Sequence, residues 1–222
     1  MKPARDVGGD FYDFFMTDEK HIAFLIADVS DKGVPAALFM MSAKNLINYR
    51  AHEGGTPGEI LTAVNSQLCR DNVPRMFATV WMGILDLDSG IITCANAGHE
   101  RPAISSEAGR LELIAKDKHG TPVGMLAGFQ YTDYEIVLKE GDSILLYTDG
   151  VIEAKNNKGE FYGVQRMVRD ASGSETGDGN TSPRCMIENL ILKTEEYVND
   201  AEQFDDMTML CLTYYEKRET TV

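Results

Sequence analysis

Phe77-Ala78-Thr79-Val80-Trp81-Met82-Gly83-Ile84-Leu85-Asp86-Leu87 runs into Asp88-Ser89-Gly90 and out through Ile91-Ile92-Thr93-Cys94-Ala95. A β-branched and aromatic run, a three-residue turn and a second such run spell a β-hairpin. Downstream, short strands are expected near 102–105 and 110–115, separated by Glu107-Ala108-Gly109. Two more are expected at 131–138 and 142–148, joined by Lys139-Glu140-Gly141-Asp142, and a last one from Met207 to Tyr214. Strands that come in hairpin blocks, rather than alternating with helices, favour antiparallel sheets with helices packed outside them, an α+β layered domain.

Upstream of the hairpin, His21-Ile22-Ala23-Phe24-Leu25-Ile26-Ala27 reads as a buried strand within 20–29. Gly33 and Pro35 then punctuate, and a helix is expected from Pro35 to Tyr49, with Leu38, Met41, Ala43, Leu46 and Ile47 apolar. Pro57 opens a second helix, with Ile60, Leu61, Val64 and Leu68 at helical spacing. Further helices are expected from about Tyr162 and over 183–199. Residues 170–183 are rich in Gly, Ser and Thr and read as a mobile loop inside one domain, because the chain after them could not bury a core alone. The 222 residues, 43% of them apolar, suit one good core. Motifs begin within ten residues of Met1, so a single domain over 1–222, cut from a longer regulatory protein, is the expectation.

Lys plus Arg number 21 and Asp plus Glu 35, a formal charge of −14, and no basic run offers nucleic acid a landing site. Cys69, Cys94, Cys185 and Cys211 show no C-x-x-C pair, which suits a reducing cytoplasm. No apolar stretch reaches the length of a membrane span.

Four aspartates end or follow apolar runs at turns: Asp10 in Val7-Gly8-Gly9-Asp10, Asp28 in Ile26-Ala27-Asp28-Val29-Ser30, Asp149 in Leu145-Leu146-Tyr147-Thr148-Asp149-Gly150, and Asp205 in Gln203-Phe204-Asp205-Asp206-Met207-Thr208. A carboxylate at the rim of a buried strand is costly to desolvate unless something positive meets it. Four converging carboxylates repel one another, and one or two divalent cations are the simplest cure. Oxygen-only donors select magnesium or manganese. Metal-assisted phosphoester chemistry uses such sites.

These segments sit among others: Pro3-Ala4, Asp10-Phe11-Tyr12-Asp13, Asp28-Val29-Ser30-Asp31-Lys32-Gly33-Val34-Pro35-Ala36-Ala37-Leu38, Asn96-Ala97-Gly98-His99, Gly120-Thr121-Pro122-Val123-Gly124, Glu153-Ala154 and Asp205-Asp206-Met207-Thr208. Together they resemble the metal-dependent serine/threonine phosphatases of the PPM class, in the bacterial branch typified by SpoIIE and RsbU. The resemblance implies a four-layer α-β-β-α sandwich, two antiparallel sheets flanked by helices, with two Mn²⁺ or Mg²⁺ ions at one end. It implies Asp28 as the carboxylate bridging both ions and the Val29 carbonyl as a further ligand. Asp10 falls on the first ion's side, and Asp149 and Asp205 on the second's. Asp206, where relatives often have Asn, is the alternative to Asp205. Asp13 and Glu153 are weaker candidates, for a third ion or a supporting role. The implied reaction is hydrolysis of phosphoserine or phosphothreonine on a regulatory protein by a metal-activated water, a STAS-domain anti-sigma-factor antagonist being the candidate substrate. An upstream sensor or regulatory domain is the implied partner, and a homodimer is one allowed assembly.

Several residues separate the readings. Eukaryotic relatives place a proton-donating His two residues after the bridging aspartate; Ser30 stands there, so a water is one candidate donor and His99 another, against a turn histidine held by backbone hydrogen bonds. Arg5 is a candidate phosphate ligand, although a strict strand would put it on the face opposite Asp10 unless Gly8-Gly9 bulges. Cys69 to Arg75 satisfies the C-x5-R spacing of cysteine phosphatases, but this loop has no Gly, loses an N–H at Pro74 and carries Asp71, which would repel phosphate. The helix after Gly33 follows Asp28 closely, so its movement could couple the metal site to a neighbouring domain. A non-catalytic partner-binding module of the same fold is the alternative function, and a hydrolase of small phosphoesters the third.

Overall fold

The hairpin at 77–95 lies at the heart of a five-stranded antiparallel sheet. Its strands run in the order β1 (Phe11–Met16), β2 (His21–Val29), β3 (Ala78–Asp86), β4 (Ile91–Ala97) and β7 (Tyr134–Val137). The hairpin turn is held locally: Asp86 Oδ1 accepts from the Asp88 N–H at 2.8 Å, and Gly90 takes a left-handed φ of 72°. A second antiparallel sheet runs β6 (Leu111–Leu113), β5 (Ala103–Ser105), β8 (Ser143–Tyr147), β9 (Met209–Thr213). The computed structural model describes residues 1–70, 72, 75–105, 111–172 and 182–215. The expected turn at Glu107-Ala108-Gly109 and most of the loop expected at 170–183 lie outside the described residues.

Three apolar layers define the sandwich. Helices α1 (Val34–Glu53) and α2 (Pro57–Arg70) cover the first sheet through Ala43, Ile47, Leu61 and Val64, packed on Leu25, Val80 and Met82. The sheets meet through Phe24, Ile26, Trp81, Ile136, Ile144 and Leu146. Helices α4 (Val164–Ala171) and α5 (Pro183–Val198) cover the second sheet through Met167, Met186 and Leu190. This is the four-layer α-β-β-α order.

Four details depart from the sequence reading. Strand β1 was not anticipated, nor was the short helix α3 (Asp149–Ile152). Lys139–Asp142 closes no hairpin: β7 pairs with β4 and β8 with β5, so the tight turn carries the chain from one sheet to the other. Ile136 and Ile144 then face the same core from opposite sides. Helix α1 extends to Glu53, and its buried face is small, Ala36, Ala43, Ile47 and Ala51; Leu38 and Met41 point outward at 62% and 55% exposure.

Trp81 shows how tightly the middle layer is set. It is fully buried, stacks obliquely on Phe24 and donates its indole N–H to the Tyr134 hydroxyl at 2.8 Å. A Cβ at Gly83 would stand 2.7 Å from its ring and 2.8 Å from Ile92. Gly83→Ala is therefore expected to cost about 1–3 kcal/mol by overpacking. Urea unfolding followed by emission of the single tryptophan measures this, with the native spectrum shifted as the ring moves.

Candidate metal centre at the mouth of the sandwich

Along each central strand, alternate residues line the layer between the sheets. Phe24 and Ile26 lead to Asp28, Trp81 leads to Thr79, Ile144 and Leu146 lead to Thr148, and Leu212 and Leu210 lead to Thr208. The inward rows thus turn polar together at one end of the sandwich. Phe11 pairs with Ala27, a register that sets Asp10 opposite Asp28.

Asp10 is buried, 2% exposed, and its Oδ2 accepts from the Thr148 hydroxyl at 2.8 Å. Thr148 Oγ1 in turn accepts from the Thr208 N–H at 3.0 Å, so the second sheet holds the carboxylate of the first. The Thr208 hydroxyl is buried beside Asp10 and, like Thr148, favours that carboxylate's charged form. Asp10 and Asp28 face each other across β1 and β2, and both are pushed well above the ordinary carboxyl range. Burial is the largest cause for each; the charges of Asp10, Asp149 and Asp205 add to it at Asp28. Asp149, the first residue of α3, is raised by burial and then by Asp205 and Glu153, with the Gly150 N–H and the Lys32 charge pulling the other way.

Asp205 and Asp206, adjacent in sequence, differ in use. Asp206 is buried and spends its carboxylate on backbone: Oδ1 on Ala4 N–H at 2.7 Å, Oδ2 on Gly9 N–H at 2.8 Å and Asp10 N–H at 3.4 Å. It clips the first loop of the chain to the last. A Cβ at Gly8 would lie 2.4 Å from Asp206 Oδ2, and one at Gly150 only 1.9 Å from its carbonyl oxygen, so both glycines admit this clip. Asp205 instead faces Lys32, whose ammonium stands 2.9 Å from Oδ1; the same oxygen accepts from the Asp206 N–H.

The remaining candidates are spread out. Gly9 packs on the Val29 carbonyl. Arg5 is exposed in the clipped loop, before any strand begins, so the opposite-face objection to it does not arise. Asp13 turns toward α1, 3.8 Å from Lys44 Nζ, and Glu153 is exposed at the end of α3. Ser30 Oγ accepts the Phe77 N–H. His99 is buried with both ring nitrogens engaged, Nε2 donating to the Tyr147 carbonyl at 3.1 Å and Nδ1 accepting from the Thr79 hydroxyl at 2.8 Å. Burial pushes its pKa down to about 4, so it is a neutral pin between the sheets. Cys69 closes α2 with a half-buried thiol that burial holds above its usual pKa, and Asp71 and Pro74 lie outside the described residues. The sequence reading gave no role to Thr148 and Lys32; each lies inside a marked motif, but neither residue type signals a site alone.

Among the described residues no three carboxylate, imidazole or thiol groups close on one point. That fits hard ions that keep much of their water and take only one or two carboxylates each. The donors are carboxylates and a carbonyl, and the carboxylates sit in mutual repulsion. The residues present therefore fit one or two such dications.

A model of the family described as stage II sporulation protein E (SpoIIE) matches residues 18–215. The chain belongs to the SpoIIE family. It is 32% identical to protein IcfG of Synechocystis sp., over 96% of this chain and 37% of that protein. It is 29% identical to phosphoserine phosphatase RsbU of Bacillus subtilis, over 95% of this chain and 60% of that one. The chain therefore spans less than two thirds of either relative. The SiaA-PP2C domain of Pseudomonas aeruginosa superposes with a TM-score of 0.80 at 22% identity, covering 96% of this chain and 82% of that one, so the fold is that of PP2C domains.

Two measurements test the site's construction. Asp206→Ala is expected to cost about 3 kcal/mol in urea unfolding by orphaning backbone N–H groups, while Asp205→Ala, losing a part-exposed ion pair, costs under about 1 kcal/mol. The second is pH dependence in chelator. The folded state holds the Asp28 proton more tightly than the unfolded chain, so this contribution is complete below the ordinary pKa of 3.8 and fades as pH rises toward the raised value. Asp28→Asn should therefore gain on the wild type as pH rises from about 4 to 8, by roughly 2 kcal/mol.

Proposed function

We propose that this domain hydrolyses phosphoserine or phosphothreonine on a regulatory protein, a STAS-domain anti-sigma-factor antagonist being the favoured substrate. The burial and mutual repulsion of Asp10, Asp28, Asp149 and Asp205 at the mouth of the sandwich support this reading. Asp28 would bridge two Mn²⁺ or Mg²⁺ ions, with Asp10 and the Val29 carbonyl on one side and Asp149 and Asp205 on the other. Asp206 is assigned the structural clip, because its oxygens are spent on N–H groups. When bound, the ions supply Lewis acidity that activates a water and offsets charge on the phosphoryl oxygens.

The chain's own residues set the rest. Thr148 fixes Asp10, and the register of β1 on β2 fixes Asp28 opposite it. Water attacks phosphorus and loses a proton to solvent, the bond to the serine oxygen breaks, and that oxygen takes a proton from a water at the open rim, since both His99 nitrogens are engaged and the Ser30 hydroxyl is too weak an acid. The greater length of the relatives supports an upstream sensor or regulatory domain in the native protein. The exposed Leu38 and Met41 on α1, just after Asp28, offer that partner a handle.

Turnover of a phosphoserine peptide with Mn²⁺ tests the proposal. Asp28→Asn is expected to lower kcat at least about a thousandfold with the fold intact by circular dichroism. Mn²⁺ binding without turnover of any phosphopeptide or of the phosphorylated regulatory protein would favour a non-catalytic binding module instead.

A further inference from the structure

Charge counting exposes a gap in the site. Two dications only neutralise four carboxylates, so they leave no surplus to draw in a phosphomonoester dianion. The chain's −14 charge repels that dianion further. Some fixed cation must tip the balance.

Arg5 is exposed in the clipped loop and anchored by no salt bridge among the described residues, and the other cations near the mouth are mostly committed elsewhere. Lys2 pairs with Glu195, and Lys44 faces Asp13 and the Tyr12 carbonyl on the helical side. Arg101 donates to the carbonyls of Leu113 and Ile114. Lys32 is different. It leaves the β2–α1 loop between Asp31 at φ 69° and Gly33 at φ 82°, and its ammonium meets Asp205 Oδ1 at 2.9 Å, the Phe204 carbonyl, and the Phe204 ring at 4.3 Å. One oxygen accepts a hydrogen bond from it and another pairs with its charge, and among the described residues no further acceptor meets it. Lys155 places a second ammonium 4.6 Å from the same ring. Phe204 is 64% exposed and walls a groove of about 260 Å³ that opens beside Asp205. Two like charges on one exposed ring, beside the candidate site, would be relieved by an anion.

We propose that Lys32 is the phosphoryl-binding cation of this site, its free N–H reaching a phosphoryl oxygen while Asp205 and the Phe204 carbonyl hold the ammonium in place. The inference rests on the phosphatase reading and gives that reaction a further substrate-binding residue. Asp205 keeps Oδ2 for an ion, so Lys32 serves the anion without blocking the metal.

The test measures equilibrium binding of inorganic phosphate to the Mn²⁺-loaded domain by calorimetry, alongside its inhibition of peptide turnover. Lys32→Met is expected to weaken phosphate binding about tenfold and to raise KM more than it lowers kcat, with Mn²⁺ affinity within about threefold of wild type. Lys32→Arg should restore most of the phosphate affinity. Unchanged phosphate affinity in Lys32→Met overturns the proposal. So does a loss that only follows a parallel loss of Mn²⁺ affinity, which would make Lys32 a brace for Asp205. Should Lys32→Met not fold, Lys32→Gln is read in the same way. A wild-type domain that binds no Mn²⁺ and turns over no phosphopeptide would instead sink the phosphatase reading itself.

Discussion

The hydrogen bond from the Thr148 hydroxyl to Asp10 ties the two sheets together where their shared core gives out. On one side, the register of β1 on β2 brings Asp10 against Asp28. On the other, the turn from β8 into α3 delivers Asp149 one residue after Thr148. Without this bond Asp10 would be a buried carboxylate among like charges with one fewer donor. The cost of such burial is several kcal/mol unless hydrogen bonds or a cation offset it. The mouth of the sandwich is therefore the place where folding and the proposed ion binding draw on the same groups.

The clip made by Asp206 extends that logic to the ends of the chain. Lys2 and Met207 exchange backbone hydrogen bonds at 2.8 and 2.9 Å, and Asp206 holds Ala4 and Gly9 in the same stroke. The loop leading into Asp10 carries no regular structure of its own, so its geometry is borrowed from the last loop. The glycines that mark the sequence motifs are explained by this borrowing: side chains at positions 8 and 150 would occupy the space of Asp206. Residues that look like signs of a phosphate loop are consequences of two chain segments passing close.

Much of this was legible in the sequence, for reasons that differ by element. The 77–95 hairpin was readable because its turn residues and its apolar runs agree. The turn at Lys139–Asp142 looked equally local, yet its strands belong to different sheets, a choice made by what β4 and β5 had left unpaired. Leu38 and Met41 fit a helical stripe, but small residues let α1 approach the sheet along another face. The four aspartates could be named from their turns. Which of Asp205 and Asp206 is spent on backbone N–H groups could not, because one step along an irregular loop reverses a side chain with no trace in composition.

Lys32 follows from the same constraint seen from the anion's side. A site that must hold several carboxylates in a small volume is tuned toward cations, and that tuning works against a dianionic substrate. A fixed ammonium resolves the conflict only if it is held where it cannot neutralise the carboxylates outright. Sharing Lys32 between one oxygen of Asp205 and a backbone carbonyl meets that condition: the carbonyl is polar but uncharged, so the ammonium keeps more of its charge than a bidentate pair would leave it. Its loop begins at Ser30, directly after Val29, so any displacement of α1 that moves this loop shifts the proposed metal ligands and the anion's cation together. Substrate capture and ion binding would then respond to a neighbouring domain as one event.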